Sequence, residues 1–222
     1  MLIDIHVHES KYSGDSFLGL NSAVRRAKEL GLDGICITNH DNNLLRNEIG
    51  DYAYINDLLV IVGAEVYTRE GDILVFGLDD IPEPRIPAKE LLKKVKDVGG
   101  VAISAHPFRH NNRGLKDYIG KVSDSLTGIE AFNGSTFPHH NLTAYALATE
   151  LELPSFGASD AHTLEQLGIY ATNFFGNIRD YKDFIEAAKS GDSCPVIWKN
   201  GQYEQINIYS GISRLEMACC NW

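Results

Sequence analysis

Residues 3–8 alternate between apolar and metal-type side chains, and this alternation constrains the fold more than any other feature of the sequence. In a β-strand successive side chains point to opposite faces, so Ile3, Ile5 and Val7 share one face while Asp4, His6 and His8 share the other. Same-face neighbours lie about 6–7 Å apart at their bases, which allows both imidazoles to reach one cation. A pair of partly buried structural histidines is the alternative, and the downstream sequence bears on the choice.

Short buried strands alternate with loops and helices along the chain. The pattern predicts strands at 2–8, 34–38, 58–62, 66–68, 72–77, 101–105, 127–132 and 155–158, an apolar stretch at 171–175 and irregular closing strands at 196–209, with 66–68 and 72–77 as a hairpin across residues 69–71. It predicts helices to Leu30 with Asn21 or Ser22 as the cap, over 87–98, 141–150 and 181–189, a weaker one from Leu44 to Ile55, and a linker at 82–84. Such alternation favours an α/β barrel, formed as a single domain over residues 1–222 and closed by the C-terminal strands and tail from about 194.

Metal-type side chains lie at or just past the ends of these predicted strands. They are His6, His8, His40, Glu65, His106, His139, His140, Asp160 and His162. The carboxyl ends of parallel barrel strands share one face, so these residues are expected to converge. Imidazole and carboxylate ligands without thiolate suit Zn, Mn or Fe. About nine ligands exceed what one ion of coordination number roughly four to six requires, so the sequence predicts two to three clustered divalent ions.

These motifs resemble the PHP (polymerase and histidinol phosphatase) superfamily over nearly the whole chain. The resemblance runs in order through 4–8, Asp15, 37–41, 63–65, 105–107, 129–133 and 157–162. It implies a distorted (β/α)7 TIM-like barrel of PHP type, a trinuclear metal centre and phosphoester hydrolysis. It also implies three ligand sets: His6, His8, Glu65 and Asp160; Glu65 again with His106 and His139; and Asp15, His40 and His162.

Two positions depart from the family pattern. Asn39 stands where members commonly have Asp, which is expected to alter a hydrogen bond around the ligand His40 rather than remove a ligand. Asn133 stands where some relatives place a ligand histidine. Other relatives have asparagine there and a histidine six residues later, a version that residues 133–139 resemble. His139 is therefore the predicted ligand, with His140, or an incomplete second site, as the alternatives.

The resemblance and the ligand chemistry predict metal-dependent hydrolysis of a small phosphomonoester by a metal-bridging hydroxide held by Glu65. Arg109 is predicted to hold a phosphate oxygen, with Arg113 as a further substrate-binding candidate and His110 as an assisting acid. A surface salt bridge is the alternative for Arg109, and Glu130 is expected either to orient a ligand or to serve the structure. Two other functions stay open: hydrolysis of a phosphodiester or amide, and a non-catalytic, metal-stabilised accessory module.

The composition narrows the partners and the compartment. Lys and Arg number 20 against 30 Asp and Glu, and the resulting net charge of −10 argues against duplex nucleic acid or a membrane surface as a partner. No apolar run approaches the roughly 20 residues of a membrane span, and no signal-like segment follows Met1. The four cysteines show no CxxC spacing, so a reduced, cytoplasmic protein is expected. The sequence does not set the oligomeric state.

Overall fold

A computed structural model describes residues 1–82 and 85–206, whose strands form two sheets. The strands are β1 (Leu2–Val7), β2 (Gly34–Ile37), β3 (Tyr52–Ile55), β4 (Leu58–Val62), β5 (Ala64–Tyr67), β6 (Asp72–Phe76), β7 (Val101–Ser104), β8 (Gly128–Asn133), β9 (Ser155–Ala158), β10 (Tyr170–Phe174), β11 (Ser193–Lys199) and β12 (Gln202–Gln205). The helices are α1 (Leu20–Glu29), α2 (Arg46–Ile49), α3 (Ala88–Asp97), α4 (Pro138–Glu150) and α5 (Tyr181–Ser190), with 3-10 helices at Lys116–Lys121 and Ser123–Ser125.

The larger sheet has the order β12-β11-β10-β1-β2-β4-β3, and the smaller has the order β5-β6-β7-β8-β9. Within them β1, β2 and β4 are parallel, as are β7, β8 and β9, whereas β6 runs antiparallel to both of its neighbours. Single parallel bridges, Val7 to Ala161 and His40 to Glu65, connect the sheets at their strand ends. The predicted α/β class is confirmed. A closed barrel is not, because the two sheets meet at isolated bridges rather than along paired strands.

The apolar core forms around these sheets in three clusters. One packs α1 against the larger sheet, one packs α3 and α4 against the smaller sheet, and one joins both sheets to α5 through residues such as Phe76, Phe156 and Phe184. Ile3 and Ile5 belong to this last cluster, but Val7 belongs to the cluster under α1. The simple alternation predicted for β1 therefore breaks, because its pairing with β2 shifts register between Asp4 and Val7.

The predicted helix from Leu44 to Ile55 is wrong beyond its first part. Only α2 is helical there, and Gly50, with φ of 79°, ends it. Residues 52–55 instead form β3, which pairs with β4 across Asn56 and Asp57. Both turn residues have positive φ, as a two-residue hairpin turn of type I′ requires.

Two other helices begin earlier than predicted. Gly19 precedes α1, so neither Asn21 nor Ser22 caps it. Pro138 is the first residue of α4, three residues before the predicted start, which places His139 and His140 in its first turn. The hairpin predicted around residues 69–71 is confirmed by the pairing of β5 with β6.

The C-terminal strands β11 and β12 extend the larger sheet beyond β10. The rest of the predicted closing segment and the tail, with Cys219 and Cys220, lies outside the described residues, as do residues 83–84 of the predicted linker. None of the helices in residues 1–82 and 85–206 has the length and hydrophobicity that a membrane span needs.

Candidate metal centre

Strand ends bring most of the predicted ligands to one place. His6 lies in β1 and Glu65 in β5, while His106 follows β7 and Asp160 follows β9. All four side chains are buried, as is His8 just past β1. Three groups with metal-ligand spacing result: His6, His8 and Asp160; His6, Glu65 and His106; and His8, His40 and His162.

The first predicted ligand set is closely grouped. His6 Nε2 lies 3.0 Å from His8 Nε2, and each of these atoms lies 3.5 Å from Glu65 Oε2. Asp160 Oδ1 lies 3.5 Å from His6 Nε2 and 3.3 Å from His8 Nε2. Glu65 Oε2 and Asp160 Oδ1 thus each lie within 3.5 Å of both imidazole nitrogens.

These spacings fit a divalent ion. In a tetrahedron with metal–ligand bonds of about 2.0–2.1 Å, the ligand atoms are about 3.3 Å apart. Two buried ligand-type atoms that lie beside each other, His40 Nδ1 and Glu65 Oε2, also have no hydrogen-bond partner. His40 Nδ1 lies 2.8 Å from Glu65 Oε2, but not in hydrogen-bonding geometry. Buried polar atoms without partners are rare, and atoms of this type are metal ligands.

A second group with similar spacing contains the predicted third set. Asp15 Oδ2 lies 3.0 Å from His40 Nε2 and 3.4 Å from His162 Nε2, and these two nitrogens are 3.5 Å apart. This group is more accessible, since His40 and His162 are 25% and 20% exposed and Asp15 is 56% exposed. Its donors therefore face solvent rather than the buried core.

Glu65 also contacts His106 with its other oxygen, at 2.7 Å from His106 Nε2. His139, the predicted further ligand beside them, is exposed and stacks on Phe137, with its ring 4.0 Å from that of His140. Neither His139 nor His140 belongs to a ligand group in the described part of the chain. The structure thus gathers eight of the nine predicted ligands and leaves His139 apart.

Buried hydrogen bonds orient the ligand imidazoles. His6 Nδ1 donates to Glu130 Oε1 at 2.9 Å, and Glu130 Oε2 accepts from the His106 backbone N–H at 2.6 Å. Ser13 Oγ lies 3.3 Å from His8 Nδ1, and the Asp160 carbonyl lies 3.1 Å from His162 Nδ1. These bonds leave Nε2 of each imidazole facing the cluster, as metal-bound histidines require. Ser13 was not predicted, whereas Glu130 takes the orienting role considered for it.

The two asparagines that depart from the family pattern lie in different surroundings. Asn133 Nδ2 donates to Asp160 Oδ2 at 3.4 Å, so this side chain touches the ligand cluster. Asn39 accepts from the Glu9 backbone and donates to the Glu9 carboxylate, at 2.9 and 3.2 Å. Asn39 therefore supports the loop beside His40.

The charges of the cluster depend on each other. Burial opposes ionisation of Asp160 and Glu65, but the charge of His6 and the contacts of the other histidines together outweigh it and hold the pKa of both carboxyls well below their usual range. Burial likewise opposes protonation of His6, yet Asp160, Glu130 and Glu65 together raise its pKa well above the usual value. Burial lowers the pKa of His8 to about 4, so this imidazole is neutral. Such buried carboxylates demand nearby positive charge, which divalent ions would supply.

Backbone strain is present at the same place. His106 and Asp160 have φ of 25° and 53°, and Asp41, next to His40, has φ of 53°. Positive φ at residues other than glycine costs on the order of 1 kcal/mol or more and concentrates at functional sites.

A cavity of about 150 Å³ opens beside the cluster. Its lining combines ligand residues with two arginines and an unpredicted aspartate: Asp15, His40, Glu65, Asp72, His106, Arg109, Asn111, Arg113 and His162. Arg109 Nη1 donates to Asp160 Oδ2, and Arg113 holds Asp72 through two bonds of 2.7 and 3.0 Å. His110 is exposed and is not part of this lining.

Asp72 was missed because only the C-terminal ends of predicted strands were searched. Since β6 runs antiparallel to its neighbours, its first residue lies where the other strands end. The predicted hairpin of residues 66–68 with 72–77 already implied this reversed strand direction. A larger groove of about 640 Å³ along α1 contains no imidazole, so volume does not locate this site.

Comparisons with known proteins identify a family match and a relative. A family model described as PHP-associated matches residues 138–193. The uncharacterized protein MJ1587 from Methanocaldococcus jannaschii is 32% identical over 151 residues, which cover 60% of this chain and 82% of MJ1587.

Two solved structures show the same fold. PsfC from Pseudomonas syringae PB-5123 superposes with a TM-score of 0.71 at 19% identity, covering 97% of this chain and 98% of PsfC. A two-domain protein from Bacteroides vulgatus ATCC 8482, which contains a predicted PHP-like metal-dependent phosphoesterase, has a TM-score of 0.65 at 20% identity, covering 88% of this chain and 64% of that protein. The chain therefore belongs to the family of MJ1587, and the match of residues 138–193 to the PHP-associated model supports the expected relation to the PHP superfamily.

Proposed function

We propose that this protein is a metal-dependent phosphoesterase that hydrolyses a small phosphomonoester at a centre of two to three divalent ions. The observation that carries the proposal is the set of donor-atom spacings of 3.0–3.5 Å among His6, His8, Glu65 and Asp160. A second set with similar spacing adjoins it, formed by Asp15, His40 and His162. Bound there, Zn, Mn or Fe would lower the pKa of water and neutralise phosphoryl charge.

The residues of the chain divide the remaining work. Glu65 joins the ligand groups, because its two oxygens face different histidines. Glu130 fixes the tautomer and orientation of His6. His139 remains a proposed further ligand by family resemblance, since it lies six residues after Asn133, which touches Asp160.

Arg109 and Arg113 are proposed to bind substrate, because both line the cavity and are about 30% exposed, at 29% and 32%. A guanidinium group matches the geometry of phosphate oxygens. The cavity of about 150 Å³ accommodates a phosphate-sized group with part of a small substrate. His110 is retained as an assisting acid only as a proposal, since it does not line this cavity.

The test is phosphate release by chelator-stripped protein with Mn²⁺, Zn²⁺, Fe²⁺ or Mg²⁺ added back. The substrates are a panel of phosphomonoesters, with phosphodiesters, single- and double-stranded DNA, and amides as further arms. We expect release from a phosphomonoester, restored by at least one ion, with two to three ions bound per chain by elemental analysis.

Other outcomes separate the alternatives. Turnover restricted to phosphodiesters or amides would replace the proposed substrate class. No turnover by protein shown to carry its ions, together with metal-dependent unfolding, would support the accessory module. Loss of one bound ion in His139→Ala, with the other ions retained, would make His139 a ligand.

A further inference from the structure

A group of two arginines and a tyrosine includes Arg113, which lines the cavity. We call Arg85, Tyr67 and Arg113 the Arg–Tyr–Arg cluster. The guanidinium carbons of Arg85 and Arg113 each lie 4.4 Å from the centroid of the Tyr67 ring. These distances lie within the range of cation–π contacts. Two positive charges therefore lie against the same ring. This local positive charge contrasts with the net charge of −10 of the whole protein.

The cluster adjoins the metal centre because of strand geometry. Glu65 and Tyr67 lie two residues apart in β5, so their side chains share one face of the strand. Arg113 lines the same cavity as Glu65. Arg113 thus connects the cavity to Tyr67 and, through the Tyr67 ring, to Arg85.

The two arginines differ in how their charge is balanced. Arg113 donates two hydrogen bonds to the carboxylate of Asp72, and Asp72 is buried. Arg85 is exposed, and no carboxylate in residues 1–82 and 85–206 forms a salt bridge with it. Asp72 therefore balances the charge of Arg113, whereas the charge of Arg85 is left for a bound anion to balance.

The backbone next to Arg85 is attached to the turn that follows Tyr67. Ile86 O accepts from Arg69 N at 3.1 Å, and Ala88 N donates to Glu70 Oε2 at 2.7 Å. These two bonds hold the segment that carries Arg85 beside the metal-centre edge of β5.

We infer that the Arg–Tyr–Arg cluster binds a second anionic group of the substrate, a carboxylate or phosphate, while the metal centre holds the phosphate that is hydrolysed. This inference rests on the proposed function and narrows its substrate class to small molecules with two anionic groups. Arg85 supplies the positive charge that recognises the second anion. Asp72 holds Arg113, and Arg113 packs against Tyr67 and so positions its ring.

The test is calorimetric binding to protein loaded with Mn²⁺ or Zn²⁺, with occupancy verified. The probes are alkylphosphonates, phosphonocarboxylates and alkane bisphosphonates of matched chain length, with spacers of graded length. We expect a two-anion probe of suitable length to bind about five- to tenfold more tightly than the matched alkylphosphonate. Arg85→Met should remove this gain, Arg85→Lys should restore part of it, and the exposed control Arg25→Met should retain it.

Equal affinities for one- and two-anion probes in the wild type, or a gain that persists in Arg85→Met, would overturn the inference. The phosphonocarboxylate and bisphosphonate arms identify which second anion is preferred. Failure of the proposed function is recognised separately, as absent phosphate release from every phosphomonoester by the same loaded protein.

Discussion

At the scale of single residues, Glu130 is the buried group that aligns two predicted ligands. One carboxylate oxygen accepts from His6 Nδ1, and the other accepts from the backbone N–H of His106. The side chain is completely buried, so water cannot replace either bond. Metal affinity is therefore expected to depend on a residue that faces no ion directly.

Glu130→Ala is expected to weaken metal binding by about 10- to 100-fold, because His6 loses the acceptor that fixes its orientation. Competition with a fluorescent chelator measures this affinity. Glu130→Gln, which retains an acceptor oxygen, should recover part of it, and the exposed control Glu150→Ala should leave it unchanged. Wild-type affinity in a folded Glu130→Ala protein would show that the bond to His6 does not serve the metal centre.

His6→Ala is expected to lower phosphate release by at least about 100-fold, because the imidazole belongs to two of the three ligand groups. Bound metal, measured by elemental analysis, should fall with it, while far-UV circular dichroism stays close to that of the wild type. Full activity of a folded His6→Ala protein would remove His6 from the centre.

The residue types and their strand-end positions were sufficient to predict seven of the eight proposed ligands that the structure gathers, and the family resemblance supplied Asp15. They did not predict Asp72, since its position depends on the direction of β6 rather than on the local pattern. The residue types and strand ends also did not predict that His139 lies apart from the other proposed ligands, because its position depends on where α4 begins. Proline at the first helical position extends α4 toward Asn133, and only packing decides which side chain then faces the ligands.

At the scale of elements, Gly63 is the point where β4 gives way to β5. A Cβ there would lie 2.4 Å from the Phe76 ring and 2.8 Å from the Val75 carbonyl oxygen. Gly63 therefore lets the chain pass close to β6 and deliver Glu65 from the next strand.

Gly63→Ala is expected to reduce the free energy of unfolding by about 1–3 kcal/mol, because a buried ring and a backbone atom must move. Urea unfolding measures the change. Gly120→Ala is the matched control, since its Cβ would meet nothing within 4 Å, and it should stay within about 0.5 kcal/mol of the wild type. Equal stability of the two variants would contradict the close packing at Gly63.

Asp180 caps α5, since its side chain accepts from the Asp183 backbone N–H at 2.8 Å. Asp180→Ala is expected to cost about 1 kcal/mol in the free energy of unfolding. Asp180→Asn, which keeps the accepting oxygen, should retain most of the stability in the same urea experiment. A loss as large in Asp180→Asn as in Asp180→Ala would argue against the cap.

Elements with strong apolar patterns were predictable, and the failure between Leu44 and Ile55 has a physical cause. Residues 52–55 alternate between exposed and half-buried positions on an edge strand, so their hydrophobic pattern is weak. Their pairing with β4 depends on the turn at Asn56 and Asp57, whose asparagine and aspartate tolerate positive φ. The weak apolar pattern of residues 44–55 fits a helix as well as it fits this hairpin, and only the turn at Asn56 and Asp57 distinguishes them.

At the scale of the whole molecule, the metal centre lies between the two sheets and is expected to support folding. The bridges Val7 to Ala161 and His40 to Glu65 are formed at or next to the proposed ligands. Ions bound there would connect the larger sheet to the smaller one. Without cations, buried carboxylates such as Glu65 and Asp160 depend on protonated histidines for neutralisation.

Chelation is therefore expected to lower the melting temperature, and metal addition to restore it. For free metal at 100 times its dissociation constant, linkage gives about 2.7 kcal/mol of stabilisation per ion. In a chain of this size that corresponds to roughly 5–10 °C, measurable by scanning calorimetry. The His6→Ala protein should show a smaller shift, and an identical melting temperature with and without metal would separate the centre from folding.

The reversed direction of β6 has a consequence for how such a protein can diverge. After β6 the chain must return to the metal-centre edge, and its connector there carries Arg85, whereas every predicted ligand lies on other segments. Under the proposed function, changes in the connector can therefore alter which molecules bind without changing the proposed metal ligands. Exchanging the region between β6 and α3 among relatives is accordingly a route to new substrate preferences on an unaltered reaction centre.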